Sequence, residues 1–195
     1  MPGDDGARAG ADRALPVVLY AAVSLDGYLA EPGDGLAFLD QVAAAEPTYE
    51  EFYSGVSALV MGRRTYDVVR SFGGDWPYPD KPCVVVTSRP LDDPPAGVTA
   101  VDGRDLDGLI HRLSLASSRS ADQTRRIWLV GGGALARSML AEHLLDELDL
   151  VVTPHVLGGG IALWGEDSGR HSLDLLEVRD LGQGAVRVRY RVRHG

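Results

Sequence analysis

The sequence predicts a single three-layer α/β domain with a central mixed, mainly parallel sheet and an antiparallel hairpin at its C-terminal end. Three observations carry this reading. Short apolar, β-branched runs alternate with segments of helical period. The triple glycine Gly131-Gly132-Gly133 stands between one such run and one such segment. Beyond Leu176, apolar and charged residues alternate on both sides of Gly182-Gln183-Gly184, as in a hairpin with one wet face.

The elements follow in order. Leu15 to Val23 is an apolar run that ends in the polar turn Ser24-Leu25-Asp26-Gly27, a buried first strand. Thr48-Tyr49-Glu50-Glu51 has the form of a capping box, in which the threonine oxygen receives a free amide and Glu51 reaches back, so a short helix starts there. Ala58 to Met61 reads as a buried strand. Val68, Val69 and Phe72 then recur at helical spacing until Gly73-Gly74 stops the helix. Cys83 to Thr87 and Val98 to Val101 are further strands, and Leu106, Leu109, Ile110 and Leu113 mark one face of a helix. After a polar, irregular stretch from Ser117 to Arg125, Ile127 to Val130 is strand, Gly131 to Gly133 opens a helix reaching about Glu142, and Leu148 to Thr153 is strand again. Short βα units of this kind require crossover connections, hence parallel neighbours with helices on both faces.

The chain has 195 residues, one domain's worth, of which residues 1–14 read as a flexible tail rich in Ala, Gly, Asp and Arg and residues 15–195 as the domain. Acidic residues outnumber basic ones, 28 to 19, so the surface repels polyphosphate and general nucleic-acid binding is disfavoured. An anionic ligand then needs a local cluster of positive groups. The lone cysteine, Cys83, excludes an internal disulfide and fits a cytoplasmic protein. No apolar stretch approaches the roughly 20 residues that cross a bilayer. The five histidines have no metal-ligand spacing, and no metal site is expected.

Ligands of such sheets gather at the carboxyl ends of the strands, and three segments there have the right chemistry. Gly131 to Ala136 follows a strand and opens a helix, so bare amides and the helix dipole suit a pyrophosphate. It fits the G-x-G-x-x-A fingerprint, although a glycine run also serves as a plain tight turn, and no acidic residue sits where a Rossmann ribose contact needs one. Gly62-Arg63-Arg64-Thr65 joins a glycine, two guanidinium groups and a hydroxyl at a second strand-to-helix junction. Thr87-Ser88-Arg89 adds a hydroxyl and a third guanidinium at the next strand end. Each alone also reads as a solvated, capped turn; together they supply the positive field that a 2′-phosphorylated dinucleotide requires.

In order along the chain stand Val23-Ser24-Leu25-Asp26-Gly27-Tyr28, Met61-Gly62-Arg63-Arg64-Thr65-Tyr66, Thr87-Ser88-Arg89-Pro90, Val130-Gly131-Gly132-Gly133, and Asp146-Glu147-Leu148 followed by Pro154 to Gly160. With this set the chain resembles the dihydrofolate reductase superfamily, most closely the RibD C-terminal (riboflavin-biosynthesis pyrimidine reductase-like) domain family, over roughly Leu15 to Arg193. The resemblance implies an NADPH-dependent reductase and a homodimer. On the matching positions, Gly62, Arg63, Arg64 and Thr65 would hold the pyrophosphate and adenosine phosphate. Thr87, Ser88 and Arg89 would meet the 2′-phosphate side, and Gly131, Gly132, Gly133, Ala134 and Leu135 would wrap the diphosphate. Ala22 and Val130 would lie against the nicotinamide, and Thr153 would face the substrate.

The segment after the first strand departs from folate reductases, lacking their Trp-containing, proline-rich loop. A small pterin- or pyrimidine-like heterocycle other than dihydrofolate is the substrate expected, reduced at a C=N or C=O. The proton is expected from Asp26 or a water it orders, with Glu50 and Glu51 as rivals, although Asp26 also reads as an Asx turn residue. Tyr28, Phe52 and Trp76 are candidate walls for a flat substrate, Phe52 equally a core residue. The Arg187, Arg189, Arg191, Arg193 stripe reads most simply as the wet face of an edge strand. A non-catalytic dinucleotide-binding or regulatory module on the same fold is the alternative function.

Overall fold

A computed structural model of the chain describes residues 15–40, 48–117, 125–165 and 168–194. The expected N-terminal tail and most of the polar segment after Ser117 lie outside these residues. Eight strands form one sheet in the order β5-β4-β3-β6-β1-β7-β10-β9. They are β1 (Val17–Val23), β3 (Val56–Gly62), β4 (Cys83–Val86), β5 (Val98–Val101), β6 (Arg126–Gly131), β7 (Glu147–Val152), β9 (Leu173–Gly182) and β10 (Ala185–Val192). From β5 to β7 every neighbouring pair is parallel, and only β10 runs against its neighbours β7 and β9.

Two helices cover each face. Period-two alternation in β1 sends Val17, Leu19 and Val23 to one cluster and Val18 to the other. The first cluster is closed by α3 (Leu106–Ser117) and α4 (Gly133–Ala141), through Leu106, Ile110, Ala136, Met139 and Leu140. Phe52 of α1 (Tyr49–Ser54) and Tyr66 of α2 (Arg63–Ser71) close the second, together with Met61 and Trp128. Cys83 is buried there, and burial pushes its thiol up to about 12, which keeps it inert.

Two expectations are corrected by packing. Thr48 does precede α1, but its side chain makes no cap bond; its Oγ1 instead pairs with the Tyr20 hydroxyl at 2.7 Å. Glu51 does not reach back either. Its carboxylate accepts hydrogen bonds from Arg187 Nη1 at 3.3 Å and Arg179 Nη2 at 3.2 Å, tying α1 to the sheet. The arginine stripe likewise does not lie on an edge strand, and of its four residues Arg191 and Arg193 alone are exposed. β10 is an interior strand, Arg187 is only 2% exposed, and Arg187 donates to both Asp149 oxygens, at 2.7 and 2.6 Å. Arg189 continues the row, donating to Glu177 and Glu147.

A second, two-stranded sheet was not anticipated: β2 (Tyr28–Ala30) pairs with β8 (Ile161–Ala162). Strands of three and two residues carry no readable period. A 3-10 turn, Ala37–Leu39, follows β2 and buries Phe38.

Candidate active site

The carboxyl ends of β3, β6 and β1 lie side by side in the sheet, so the loops after them share one rim. A cavity of about 990 Å³ opens there. Gly62 to Thr65, Gly131 to Leu135, Ala22 and Val130 all border it, which brings together most of the residues expected to hold a dinucleotide.

The two glycine turns pack against one another on the lining of the cavity. Gly132 has φ +100°, which only glycine adopts without strain, and a Cβ built on it would stand 3.4 Å from Thr65 Oγ1 and 3.7 Å from Gly62 Cα. A Cβ on Gly133 would collide with Ala162 O, so the β8 backbone packs directly on the start of α4. Gly62 and Gly132 are the N-caps of α2 and α4, and neither helix has a side-chain cap bond. First-turn amides of two nine-residue helices therefore converge on one space, with the positive ends of both dipoles. That is the chemistry a diphosphate fits.

The guanidinium groups are less free than expected. Arg63 Nε pairs with Asp67 at 2.8 Å and its Nη1 donates to Pro90 O, linking α2 to the loop after β4. Arg64 pairs with Asp34 at 2.7 Å, and Asp34 also borders the cavity. Arg137, which the sequence reading passed over, lies on the lining with Nη1 donated to Leu163 O. It sits one turn after Gly133, and helical spacing alone identifies it as a neighbour of the glycine turn. Thr87, Ser88 and Arg89 stand on the same rim, since Val86 pairs with Gly62, but they do not border the cavity, and Ser88 and Arg89 are exposed.

The residues expected to handle substrate are more scattered. Phe52 is 1% exposed and stacks on Tyr20 with ring centres 4.2 Å apart, so it supports the cavity wall without reaching the cavity. Trp76 is packed between Tyr66 and Tyr78. Tyr28 begins β2, and neither it nor Trp76 borders the cavity. Thr153 is 1% exposed at the end of β7, its amide bonded to Val23 O and its Oγ1 unpartnered. The aromatic part of the lining comes from Tyr20, Trp128 and Tyr78, which meet edge to face, and from the exposed Phe72 at the end of α2. Alternation on β1 and β6 points to the first two, because Tyr20 and Trp128 stand two positions before Ala22 and Val130.

Asp26 has surroundings unlike those of an acid. It is exposed, outside the lining, and accepts hydrogen bonds from Ser24 Oγ at 2.6 Å, Gly158 N at 2.7 Å and Leu157 N at 3.1 Å. The Ser24 hydroxyl first, then these amides, lower its pKa to about 2. A carboxylate so held has no proton to give at neutral pH. Its visible task is to pin the turn after β1 to the 154–160 loop, alongside the Leu25 N to His155 O bond. A pKa lowered on folding stabilises the protein above the ordinary carboxylate value, and that contribution disappears as pH falls from about 4 towards 2. Asp26→Asn is therefore expected to lower the melting temperature at pH 7 and to flatten the acid limb of a stability profile. Thermal unfolding followed between those pH values checks it. Glu50 is exposed and Glu51 is engaged with the arginines, so neither rival acid borders the cavity.

Comparison with known proteins bears on the whole of this architecture. Residues 16–187 match the model of the RibD C-terminal domain. The chain belongs to that family. The domain is 32% identical to YwjB of Bacillus subtilis (strain 168), over 89% of this chain and 95% of that protein. Among solved structures it is similar to a putative riboflavin biosynthesis protein from Shewanella sp. PV-4, with a TM-score of 0.78, 28% identity, and coverage of 92% and 99%. The dihydrofolate reductase of Enterococcus faecalis, solved with NADP(H), superposes with a TM-score of 0.62 at 14% identity, covering 93% and 98% of the two chains. That likeness establishes a dihydrofolate reductase-like fold for this RibD C-terminal domain. No helix among the described residues is long and apolar enough to cross a membrane.

Proposed function

We propose that this RibD C-terminal domain is an NADPH-dependent reductase that transfers hydride to a C=N or C=O carbon of a small, flat, pterin- or pyrimidine-like heterocycle in the cytoplasm. The observation that carries this reading is the pair of uncapped helix starts packed side by side on the lining of one cavity. Amides of α2 and α4 bind the diphosphate, and Arg137 adds charge beside it. Ala22 and Val130 support the nicotinamide face, and the aromatic wall of Tyr20, Trp128 and Tyr78 stacks on the heterocycle. NADPH, when bound, supplies the hydride. The chain orients the acceptor, keeps water from the reacting faces and delivers the proton. Ser88 and Arg89, exposed at the end of β4, read the 2′-phosphate. A homodimer accompanies this reading, supported by edge strand β9, which exposes Leu173, Leu175, Leu176 and Val178.

Titration with NADPH and NADH, followed by quenching of tryptophan emission, tests the cofactor part. Wild type is expected to prefer NADPH, and Arg89→Ala to lose most of that preference while binding NADH as before, since one charge-assisted phosphate contact accounts for roughly a tenfold difference. Absence of binding by either nucleotide overturns the assignment.

A further inference from the structure

The geometry points to the Tyr20 hydroxyl, held by Thr48, as the group that hydrogen-bonds the substrate heteroatom and delivers its proton. This rests on the reductase reading above and supplies the step for which Asp26 is unsuited. Among the described residues, the only carboxylate bordering the cavity is Asp34, and it is ion-paired with Arg64 beside the α2 glycine turn. Tyr20 also borders the cavity, and on β1 it stands two residues before Ala22 on the same face. At the strand rise, two residues span about 6.6 Å, roughly the reach from a nicotinamide-bearing position to the heteroatom next to the carbon being reduced.

The second observation is Thr48. It occupies the N-cap of α1 yet leaves the cap bond unmade, and its Oγ1 lies 2.7 Å from Tyr20 Oη. A threonine hydroxyl can donate to the phenol oxygen, which frees the phenol proton for another acceptor. Phe52 stacks under the ring, and Trp128 Nε1 donates to the Tyr20 carbonyl, so ring and backbone are both fixed. The charges around the phenol are matched. Asp149 lies opposite Tyr20 on β7, bonded to Arg187, which also reaches Glu51. Burial, the largest influence, raises the hydroxyl above its ordinary value, so it stays protonated through neutral pH.

A reduced nicotinamide, when bound, would supply the hydride that forms a C–H bond at the C=O or C=N carbon, and the π electron pair would move to oxygen or nitrogen. The Tyr20 O–H bond breaks, its pair remaining as phenolate, while the proton forms the new O–H or N–H bond. An alkoxide or amide anion is much more basic than a phenolate, so this transfer runs downhill. Solvent water reprotonates the phenolate, directly or through the Thr48 hydroxyl, and the turnover consumes one proton.

Isatin, a flat heterocycle with one reducible ketone, serves as probe for wild type, Tyr20→Phe and Tyr78→Phe. Tyr20→Phe keeps the stacked ring and removes only the hydroxyl. Quenching of tryptophan emission by isatin, without cofactor, is expected to give about fivefold weaker binding for Tyr20→Phe. NADPH affinity is expected to stay within about twofold, and isatin-dependent NADPH oxidation to fall about 100-fold or more. Equal isatin binding by wild type and Tyr20→Phe, loss on Tyr78→Phe alone, or no isatin binding by wild type overturns the proposal. A parallel loss of NADPH affinity in Tyr20→Phe also overturns it, by reducing Tyr20 to a structural role. If wild type binds isatin in a Tyr20-dependent way but neither binds nor oxidises NADPH, the reductase reading fails while the hydrogen-bonding role of Tyr20 stands.

Discussion

Asp149→Ala is expected to lower the stability of this RibD C-terminal domain by about 3–5 kcal/mol, the usual cost of stranding one member of a buried ion pair. The side chains of Asp149 and Arg187 are 1% and 2% exposed, and two hydrogen bonds of 2.7 and 2.6 Å join them. Removing the carboxylate leaves a guanidinium in the sheet with only Glu51, a more distant and solvent-exposed partner. For a chain of this size such a loss corresponds to a fall in melting temperature of roughly 10 °C. The double variant Asp149→Leu, Arg187→Met is expected to recover most of the loss, because neither charge then remains buried. Thermal and urea unfolding of the three proteins decide the matter. A melting temperature of Asp149→Ala within a degree or two of wild type would mean that Arg187 finds water or another acid there.

Gly132→Val is expected to weaken NADPH binding by about 100-fold or more while leaving the fold in place. A side chain at φ +100° is strained by about 1–3 kcal/mol, and the Cβ already comes within 3.4 Å of Thr65 Oγ1. The remaining methyl groups crowd the paired starts of α2 and α4, where the diphosphate would otherwise take up amides from both. Losing two charge-assisted bonds of about 1.5 kcal/mol each gives an effect of that order. Gly159→Ala provides the comparison, since nothing stands within 4 Å of its Cβ position and its backbone is unstrained. Circular dichroism establishes that both variants are folded, and nucleotide titration reads the difference. Undiminished NADPH affinity in Gly132→Val would place the cofactor elsewhere.

Much of this was legible from local pattern. The apolar runs at Ala58 to Met61 and Ile127 to Val130 fall inside β3 and β6, and the triple glycine does sit at the β6–α4 junction. Because parallel strands share a direction, naming the residues after β3, β4 and β6 was enough to put three loops on one rim. Local motifs mislead where a residue has a stronger distant partner. Thr48 and Glu51 spell a capping box, but the Tyr20 hydroxyl claims one and Arg187 the other. The arginines of β10 have the alternation of a solvated face, yet two of them lie over carboxylates supplied by β7 and β9. Phe52 and Trp76 were suitable ring types for a substrate wall, but the rings on the lining are Tyr20, Phe72, Trp128 and Tyr78.

By itself, then, the sequence determined the succession of strands and helices, the hairpin and the glycine turns, because hydrophobic period and backbone freedom are properties of a few consecutive residues. Only the tertiary structure decided that β2 meets β8, that Asp26 latches a loop 131 residues away, and that Tyr20 lies against Thr48 beside the cavity. Those outcomes depend on strand order and register, which set which side chains meet across the sheet, and no run of neighbouring residues encodes that meeting.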